Sequence, residues 1–376
     1  MRKIVIDGAN GYVASHFINE LLIQNYEVVA LVRDGRGNSS AERMEYALAE
    51  INNFKSINLK NLKVYSYSLL NEDFSISKEE LGNIFNEKVD YFHFAACLKF
   101  SEKDRDEIFD TNVNGVENSI KTFLKYSLPE SRFFFISTAY SCGKMPQLFE
   151  EKFYSNEDIA GFRNYYEQSK RFAENVVKKY IEKSNLNGYV IRLSQVTGDN
   201  KSGVTITDFG IFDFVKRVYN FSKRYPNETV RISVFPDSTQ NLVSIDNIVT
   251  YFMRILILNE LPSIIHFVGK KSIKNGQIIE CICKLLPINI IQDTTLEKEN
   301  MNAIEKIIAA GMSFTGGYTN TNFLFDTKNL DGIISSYENE VTVLSLYKML
   351  EYFIAGLSTK KRSSIVISHS LNIVSI

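Results

Sequence analysis

In the stretch YEQSK, Tyr166 stands four residues before Lys170. Four residues is about one helical turn, so on a helix both side chains project from one face. A free phenol, with a pKa near ~10, is a poor proton shuttle at neutral pH. A neighbouring ammonium favours the phenolate and is expected to lower that value, which would make the pair a usable acid or base. Alone, Y-x-x-x-K is common by chance and reads as a surface helix pair. A third group changes its meaning: Ser137 and Thr138 end the run FFFIST. Thr138 is the candidate to hydrogen-bond a reacting carbonyl oxygen, with Ser137 as the alternate.

These three groups need elements to hold them. Short β-branched or aromatic runs at Lys3 to Asp7, Glu27 to Val32, Leu62 to Ser68, Val89 to Ala95, Arg132 to Ser137 and Gly188 to Leu193 read as strands. Helical periodicity separates them at Val13 to Gln24, Ala41 to Phe54, Asp106 to Tyr126 and Tyr165 to Lys183. Strands alternating with helices predict an α/β fold, a doubly wound parallel sheet with helices on both faces. Thr138 then lies at the C-terminal end of the fifth strand, where open α/β sheets bind ligands. Beyond Gly198 the alternation weakens. Val230 to Phe235 and Ile264 to Val268 are expected as further strands, and residues 270–356 read as mixed helix and loop. The expected organisation is a Rossmann-type nucleotide domain over 1–200 with return strands at about 230–270. A smaller, discontinuous substrate-binding part takes 200–230 and 270–356, and 357–376 form a tail, either loosely ordered or an added edge strand.

Between the first strand and first helix lies DGANGYVA, with Gly8, Gly11 and Ala14 at G-x-x-G-x-x-A spacing. A dinucleotide's pyrophosphate must approach backbone N–H groups at a helix N-terminus, and glycine removes the Cβ in its way. The context, strand before and helix after, is what such a site requires. Gly8, Asn10, Gly11, Tyr12 and Val13 are therefore the candidate phosphate-side residues. The second strand ends VVALVRD. Arg33 there suits a 2′-phosphate and favours NADP, while Asp34, a carboxylate suited to a ribose 2′-hydroxyl, keeps NAD open as the lesser alternative.

Composition excludes other classes. The chain has 376 residues, 44% hydrophobic and 23% charged, with net charge −1. Nothing in that balance points to nucleic acid or an anionic membrane. The first apolar run starts at Lys3, too early for a signal peptide, and no run suits a membrane span. The cysteines Cys97, Cys142, Cys281 and Cys283 read as reduced core thiols of a cytoplasmic protein. The histidines His16, His93, His266 and His369 share no metal-ligand spacing, so no metal site is expected.

Taken together, GANGYVA (8–14), HFAA (93–96), TNVNG (111–115), ISTAY (136–140), YEQSK (166–170) and RLSQVTGD (192–199) resemble the extended short-chain dehydrogenase/reductases. HFAACLKF, FSISKEELGNI, GDNKSGVTITDFG and NLVSIDNIV are similar to its thioester-reductase or fatty acyl reductase branch. The resemblance implies a catalytic trio of Thr138, Tyr166 and Lys170, with Lys170 also on the cofactor ribose and Ala95 and Ala96 lining the cofactor. Asn112 would steady a neighbouring helix. It implies NADPH-dependent reduction of an acyl thioester, held by CoA or by an acyl or peptidyl carrier protein, to aldehyde or alcohol. Two departures stand out: Ser68 occupies the place of an aspartate that contacts adenine, and RLSQ replaces the more usual Arg-Pro.

The segment FGIFDFVKRVYNF (209–221) is either a wall for the acyl group or, through Phe209, Phe212, Phe214 and Tyr219, core of the smaller part. Lys216, Arg217, Lys223, Arg224 and Arg231 would offer a basic rim to an acidic carrier, or else a solvated face. The family often dimerises, which makes a homodimer an open expectation. Two rival readings use the same residues: a sugar-nucleotide epimerase or dehydratase that retains its cofactor, and a non-catalytic nucleotide-binding protein.

Overall fold

Six of the apolar runs become β1 (Lys3–Asp7), β2 (Val28–Val32), β3 (Leu62–Ser66), β4 (Val89–His93), β5 (Arg132–Thr138) and β6 (Gly188–Leu193). With Ile264–Phe267 they form one parallel sheet in the order β3-β2-β1-β4-β5-β6-(264–267). The computed structural model describes residues 2–371 except 36, 56, 158, 312–314 and 335–339, with backbone alone at 310, 311, 315, 316 and 359–371. β1, β2, β4 and β5 are buried along their whole length, as strands covered on both faces must be.

The covering helices are α1 (Tyr12–Ile23), α2 (Ser40–Ile51), α3 (Lys78–Ile84), α4 (Arg105–Phe109), α5 (Gly115–Tyr126) and α6 (Tyr165–Ser184). On one face Phe17 of α1 packs against Phe92 and Phe252. On the other, Phe123 of α5 packs against Tyr91 and Phe133. Capping fixes where the helices start. Ser39 with Glu42 and Ser77 with Glu80 form reciprocal capping boxes on α2 and α3, and Asn164 caps α6 at the Glu167 N–H. α6 ends at Asn185 in the left-handed conformation. The helix expected over Asp106 to Tyr126 is interrupted by a π-helical turn, Asp110–Asn114. That turn carries Asn112 inward.

The chain divides into two compact units. One holds Met1–Val196, Asn247–Val268 and Leu324–Tyr337; the other holds Thr197–Asp246, Gly269–Phe323 and Glu338–Ile376. Each has its own core. Three expectations need correction. The strand expected at Val230 to Phe235 does not return to the central sheet. It runs Glu228–Ile232 and pairs in parallel with Ile288–Gln292, because Val230 and Ile232 bury in the second unit's core. Residues 324–337 belong with the nucleotide domain: Phe149 bonds Leu324 O at 2.8 Å and Asp326 N at 3.0 Å. The tail is neither strand nor loose chain up to Leu371, since one helix runs Val343–Leu371; residues 372–376 lie outside the described residues. Among the described residues no helix is long and apolar enough to cross a membrane.

In the second unit Phe212, Phe214 and Tyr219 are core, while Phe209 is 54% exposed. Lys216 pairs with Asp208, Arg217 with Asp213, and Arg231 with Glu305. Three of the five rim cations are thus engaged by carboxylates of their own unit.

In the first unit Glu151 clips two segments to each other, accepting the His266 N–H at 2.8 Å and the Asn329 N–H at 2.6 Å. Burial outweighs these donors and raises its carboxyl to about 7. The folded chain therefore holds a proton that the unfolded chain has released, and stability falls as pH rises from the ordinary carboxylate range to about 7. Glu151→Gln is expected to flatten this slope, measured as urea unfolding free energy across that interval.

Candidate active site

The sheet order reverses between β1 and β4, the switch point at which open α/β sheets hold ligands in a crevice. Gly8 closes β1 with φ +58°, and a Cβ on it would stand 2.7 Å from Ala95 N. Both conformation and space demand glycine. The Gly11 N–H donates to Gly8 O at 2.9 Å, and Gly11 starts α1 with no side chain to cap it. The positive end of α1 thus faces the turn. Asn10, Tyr12 and Val13 are partly exposed along it; across the crevice Ala95 is buried and Ala96 half-buried. A close-packed glycine turn at an uncapped helix N-terminus suits a dinucleotide's diphosphate.

At the end of β2 the two side chains that left the cofactor open in the sequence are treated differently. Asp34 is engaged on both oxygens: Oδ1 accepts the Ser40 N–H at 2.8 Å and Oδ2 accepts the Ser66 hydroxyl at 2.6 Å. Those bonds, Ser66 first, hold its carboxyl below the usual range. Arg33 is exposed, and its carbonyl accepts a hydrogen bond from Arg43 of α2. Arg43 was missed in the sequence; its nearness to Arg33 depends on α2 folding back over the strand end.

The trio stands at the same strand ends. Lys170, 2% exposed, donates to Ile136 O at 2.9 Å, and its ammonium lies 4.8 Å from the centre of the Phe135 ring. Thr138 ends β5; its hydroxyl donates to Leu193 O at 3.3 Å and accepts the Tyr140 N–H at 3.2 Å. Both bonds are long. Ser137 is different, since its hydroxyl donates to Glu174 at 2.5 Å, a charge-assisted bond. That leaves Thr138 as the more available hydroxyl. Tyr166 is half-buried, with its ring edge-on to Phe100 of the loop after β4, centroids 5.6 Å apart. The expected lowering of the phenol does not occur in this arrangement. Burial first, and the Glu167 charge second, raise Tyr166. Burial also pulls Lys170 down to about 8, against the charges of Asp7 and Glu174. The side chains behave as a neutral phenol beside a buried ammonium.

A buried network fixes this arrangement; the sequence singled out Asn112 but did not reveal the pairing of Arg192 with Glu174. Arg192 of β6 grips Glu174 of α6 through two bonds, at 3.0 and 2.6 Å. Its remaining N–H groups reach Glu150 O, Lys152 O and His266. Glu174 also accepts from Ser137 and from Ser141 at 2.9 Å. Asn112, fully buried, accepts the Cys97 N–H at 2.7 Å and donates to Cys97 O at 3.1 Å and Ser169 Oγ at 2.9 Å. It joins the loop of Ala95 and Ala96 to the helix of Tyr166 and Lys170. Cys142 is buried, which raises its thiol to about 12, so it is no nucleophile. Among the described residues no group of side chains forms a metal centre.

Comparison with known proteins now places the chain. A family model described as male sterility protein, with an NAD-binding domain, matches residues 6–251. The chain belongs to the male sterility protein family. It is an extended short-chain dehydrogenase/reductase of the male-sterility-type branch and an NAD(P)-dependent oxidoreductase. Among solved structures, the terminal R domain of the myxalamid PKS-NRPS pathway superposes with a TM-score of 0.76 at 15% identity, covering 94% of this chain and 91% of that one. The thiolation-reductase di-domain of an archaeal non-ribosomal peptide synthetase gives 0.69 at 18% identity, covering 93% and 75%. The UDP-glucuronic acid 4-epimerase of Bacillus cereus gives 0.63 at 16% identity, covering 93% and 96%. At these identities the likeness is one of fold. A curated relative, UDP-glucose 4-epimerase of Bacillus subtilis (strain 168), is 28% identical over 180 residues. That match spans 46% of this male sterility family chain and about half, 47%, of the relative.

Removing one member of the Glu174–Arg192 pair leaves the other buried and uncompensated. Glu174→Ala is expected to cost about 3–5 kcal/mol in urea unfolding. Gly8→Ala, which brings a methyl against Ala95, is expected to abolish nicotinamide cofactor binding by fluorescence titration while the protein stays folded by circular dichroism.

Proposed function

We propose that this protein is an NADPH-dependent reductase of acyl thioesters, with the acyl group carried by CoA or by an acyl or peptidyl carrier protein. The observation that carries this reading is that Lys170, one helical turn after Tyr166, bonds Ile136 O of the strand that ends at Thr138, whose hydroxyl makes only long hydrogen bonds. Reduction of a carbonyl needs hydrogen-bond donors for the oxygen on which negative charge develops, and Tyr166 and Thr138 would serve. Bound NADPH would supply hydride from C4 of its nicotinamide. Lys170 would hold the ribose and orient Tyr166. Tyr166 and Thr138 would stabilise the oxygen as the C–H bond forms; the C–S bond then breaks, leaving aldehyde, while the departing sulfur takes a proton and leaves as thiol. Gly8, Asn10, Gly11, Tyr12 and Val13 would bind the diphosphate, and Ala95 and Ala96 would line the cofactor. The name of one structural neighbour joins a thiolation domain to a reductase, which supports a carrier-bound substrate.

The end of β2 supports a preference for NADPH over NADH. Asp34 has both oxygens engaged, whereas Arg33 is exposed. With Arg43 beside it, Arg33 presents guanidinium to a 2′-phosphate. A cytoplasmic location belongs to the same reading.

The epimerase reading draws on the Bacillus subtilis relative. An epimerase restores its cofactor within each cycle, so coenzyme consumption separates the two. With NADPH and a panel of acyl-CoA and acyl-carrier thioesters, loss of absorbance at the reduced-nicotinamide band and one free thiol per NADPH consumed in a two-electron reduction are expected. No consumption across the panel, with UDP-sugar interconversion instead, would overturn the proposal. Tyr166→Phe is expected to lower kcat by about 10²–10⁴-fold. Arg33→Ala is expected to raise the KM for NADPH by about tenfold or more while leaving that for NADH little changed. Since Lys170 acts as a cation, kcat/KM is expected to fall as pH rises through about 8.

A further inference from the structure

The Lys170 ammonium has an amide oxygen and an aromatic face as its direct neighbours. Neither cancels a full charge where water is excluded. The titratable groups packed around it come from four elements. On its own helix, Glu174 is bonded twice to Arg192 of β6, and its charge supports the ammonium after that of Asp7. Tyr166, on the same helix, is a neutral phenol. From β4 come Tyr91 and His93, and the His93 ring lies 5.9 Å from that of Phe135. From β1 comes Asp7, fully buried. Its Oδ2 accepts the Tyr91 hydroxyl at 2.8 Å and lies 2.6 Å from His93 Nδ1, and its Oδ1 accepts the Ala95 N–H at 2.9 Å.

Among the described residues Asp7 has no lysine or arginine within ion-pair distance; His93 is its sole basic neighbour at that range. Nε2 of His93 is buried with no hydrogen-bond partner. With Nδ1 turned to Asp7, the site offers no partner for a second N–H on the ring. The registers Asp7↔His93 and His93↔Phe135 set Asp7 in one row with the ring on which the Lys170 ammonium rests.

We propose that Asp7 is the counter-ion of Lys170: across His93 and Phe135, its carboxylate keeps the buried ammonium charged. Asp7 is thus a positioning residue, acting through Lys170, and the inference rests on the reading of Lys170 as a catalytic group. The balance at Lys170 agrees, since burial is the largest influence and lowers it, with Asp7 the first of the charges that oppose this.

Asp7→Asn removes the charge while keeping an acceptor for the Ala95 N–H. Tyr91→Phe removes a hydrogen bond to the same carboxylate and keeps the charge. The alkaline limb of the kcat/KM profile is expected to move down by about one pH unit or more in Asp7→Asn and to stay in place in Tyr91→Phe. A limb unmoved in Asp7→Asn, or moved equally in both, overturns the proposal. The Lys170 Nζ resonance in [15N]lysine-labelled protein, assigned with Lys170→Met, reads the same titration without substrate. Its midpoint is expected to fall in Asp7→Asn, and an unchanged midpoint overturns the counter-ion. A fallen midpoint together with undiminished turnover in Lys170→Met supports the counter-ion and dismisses the catalytic reading, so the two failures are separable. Should Asp7→Asn fail to fold, Asp7→Ser keeps an acceptor and gives the same readout.

Discussion

Two full charges buried together, Glu174 and Arg192, hold α6 against the C-terminal strand ends of the first unit. Such a pair is tolerated only when nearly every lone pair and N–H finds a partner. Here two serine hydroxyls, two carbonyls and a histidine complete the set. The partners come from β5, β6, α6, the loop after β5 and the edge strand Ile264–Phe267. The network therefore fastens α6 to the strand ends it must serve. Lys170 lies one turn from Glu174 along the helix and Tyr166 two turns, so the geometry of both follows from that anchor.

The cofactor side of the crevice has its own anchor. Asp7 draws together β1, β4 and the Ala95 backbone, directly beneath the turn in which Gly8 meets Ala95. Asn112 then ties the Cys97 backbone to Ser169. The π turn that spoils a regular helix is what brings its amide inward. A chain of buried polar contacts thus links the diphosphate cradle to the helix of Tyr166 and Lys170. Each member is satisfied except Nε2 of His93.

What could be read in the sequence was whatever depends on neighbours in the chain. Gly8 and Gly11 were legible because the turn, the strand before and the helix after are contiguous. β1 and β6 matched their expected limits because turn residues bound their apolar runs. Glu174 and Arg192 are far apart in the chain, and a lysine- and glutamate-rich helix gives no sign of which carboxylate turns inward. Arg33 was favoured over Asp34, but the engagement of the carboxylate was not legible, since only the fold brings Ser66 and the start of α2 to it. The run at Val230 had a strand's composition, but composition does not say which sheet receives it. The phenol was expected to be lowered by a charge one turn away; burial, which depends on the whole fold, outweighed it.

The first unit takes its edge strand, Ile264–Phe267, from chain made after Thr197–Asp246 of the second unit, and the segment Leu324–Tyr337 from chain made after Gly269–Phe323 as well. On a ribosome adding ~5–20 residues per second, β6 waits on the order of ten seconds for its neighbour. During that interval the sheet has an open hydrogen-bonding edge beside an aromatic core, the kind of surface that recruits other chains. The nascent protein is thus most vulnerable to self-association between the synthesis of β6 and that of Ile264–Phe267, when the Gly8–Gly11 turn and the helix of Tyr166 and Lys170 have already emerged but the margin that seals their sheet has not.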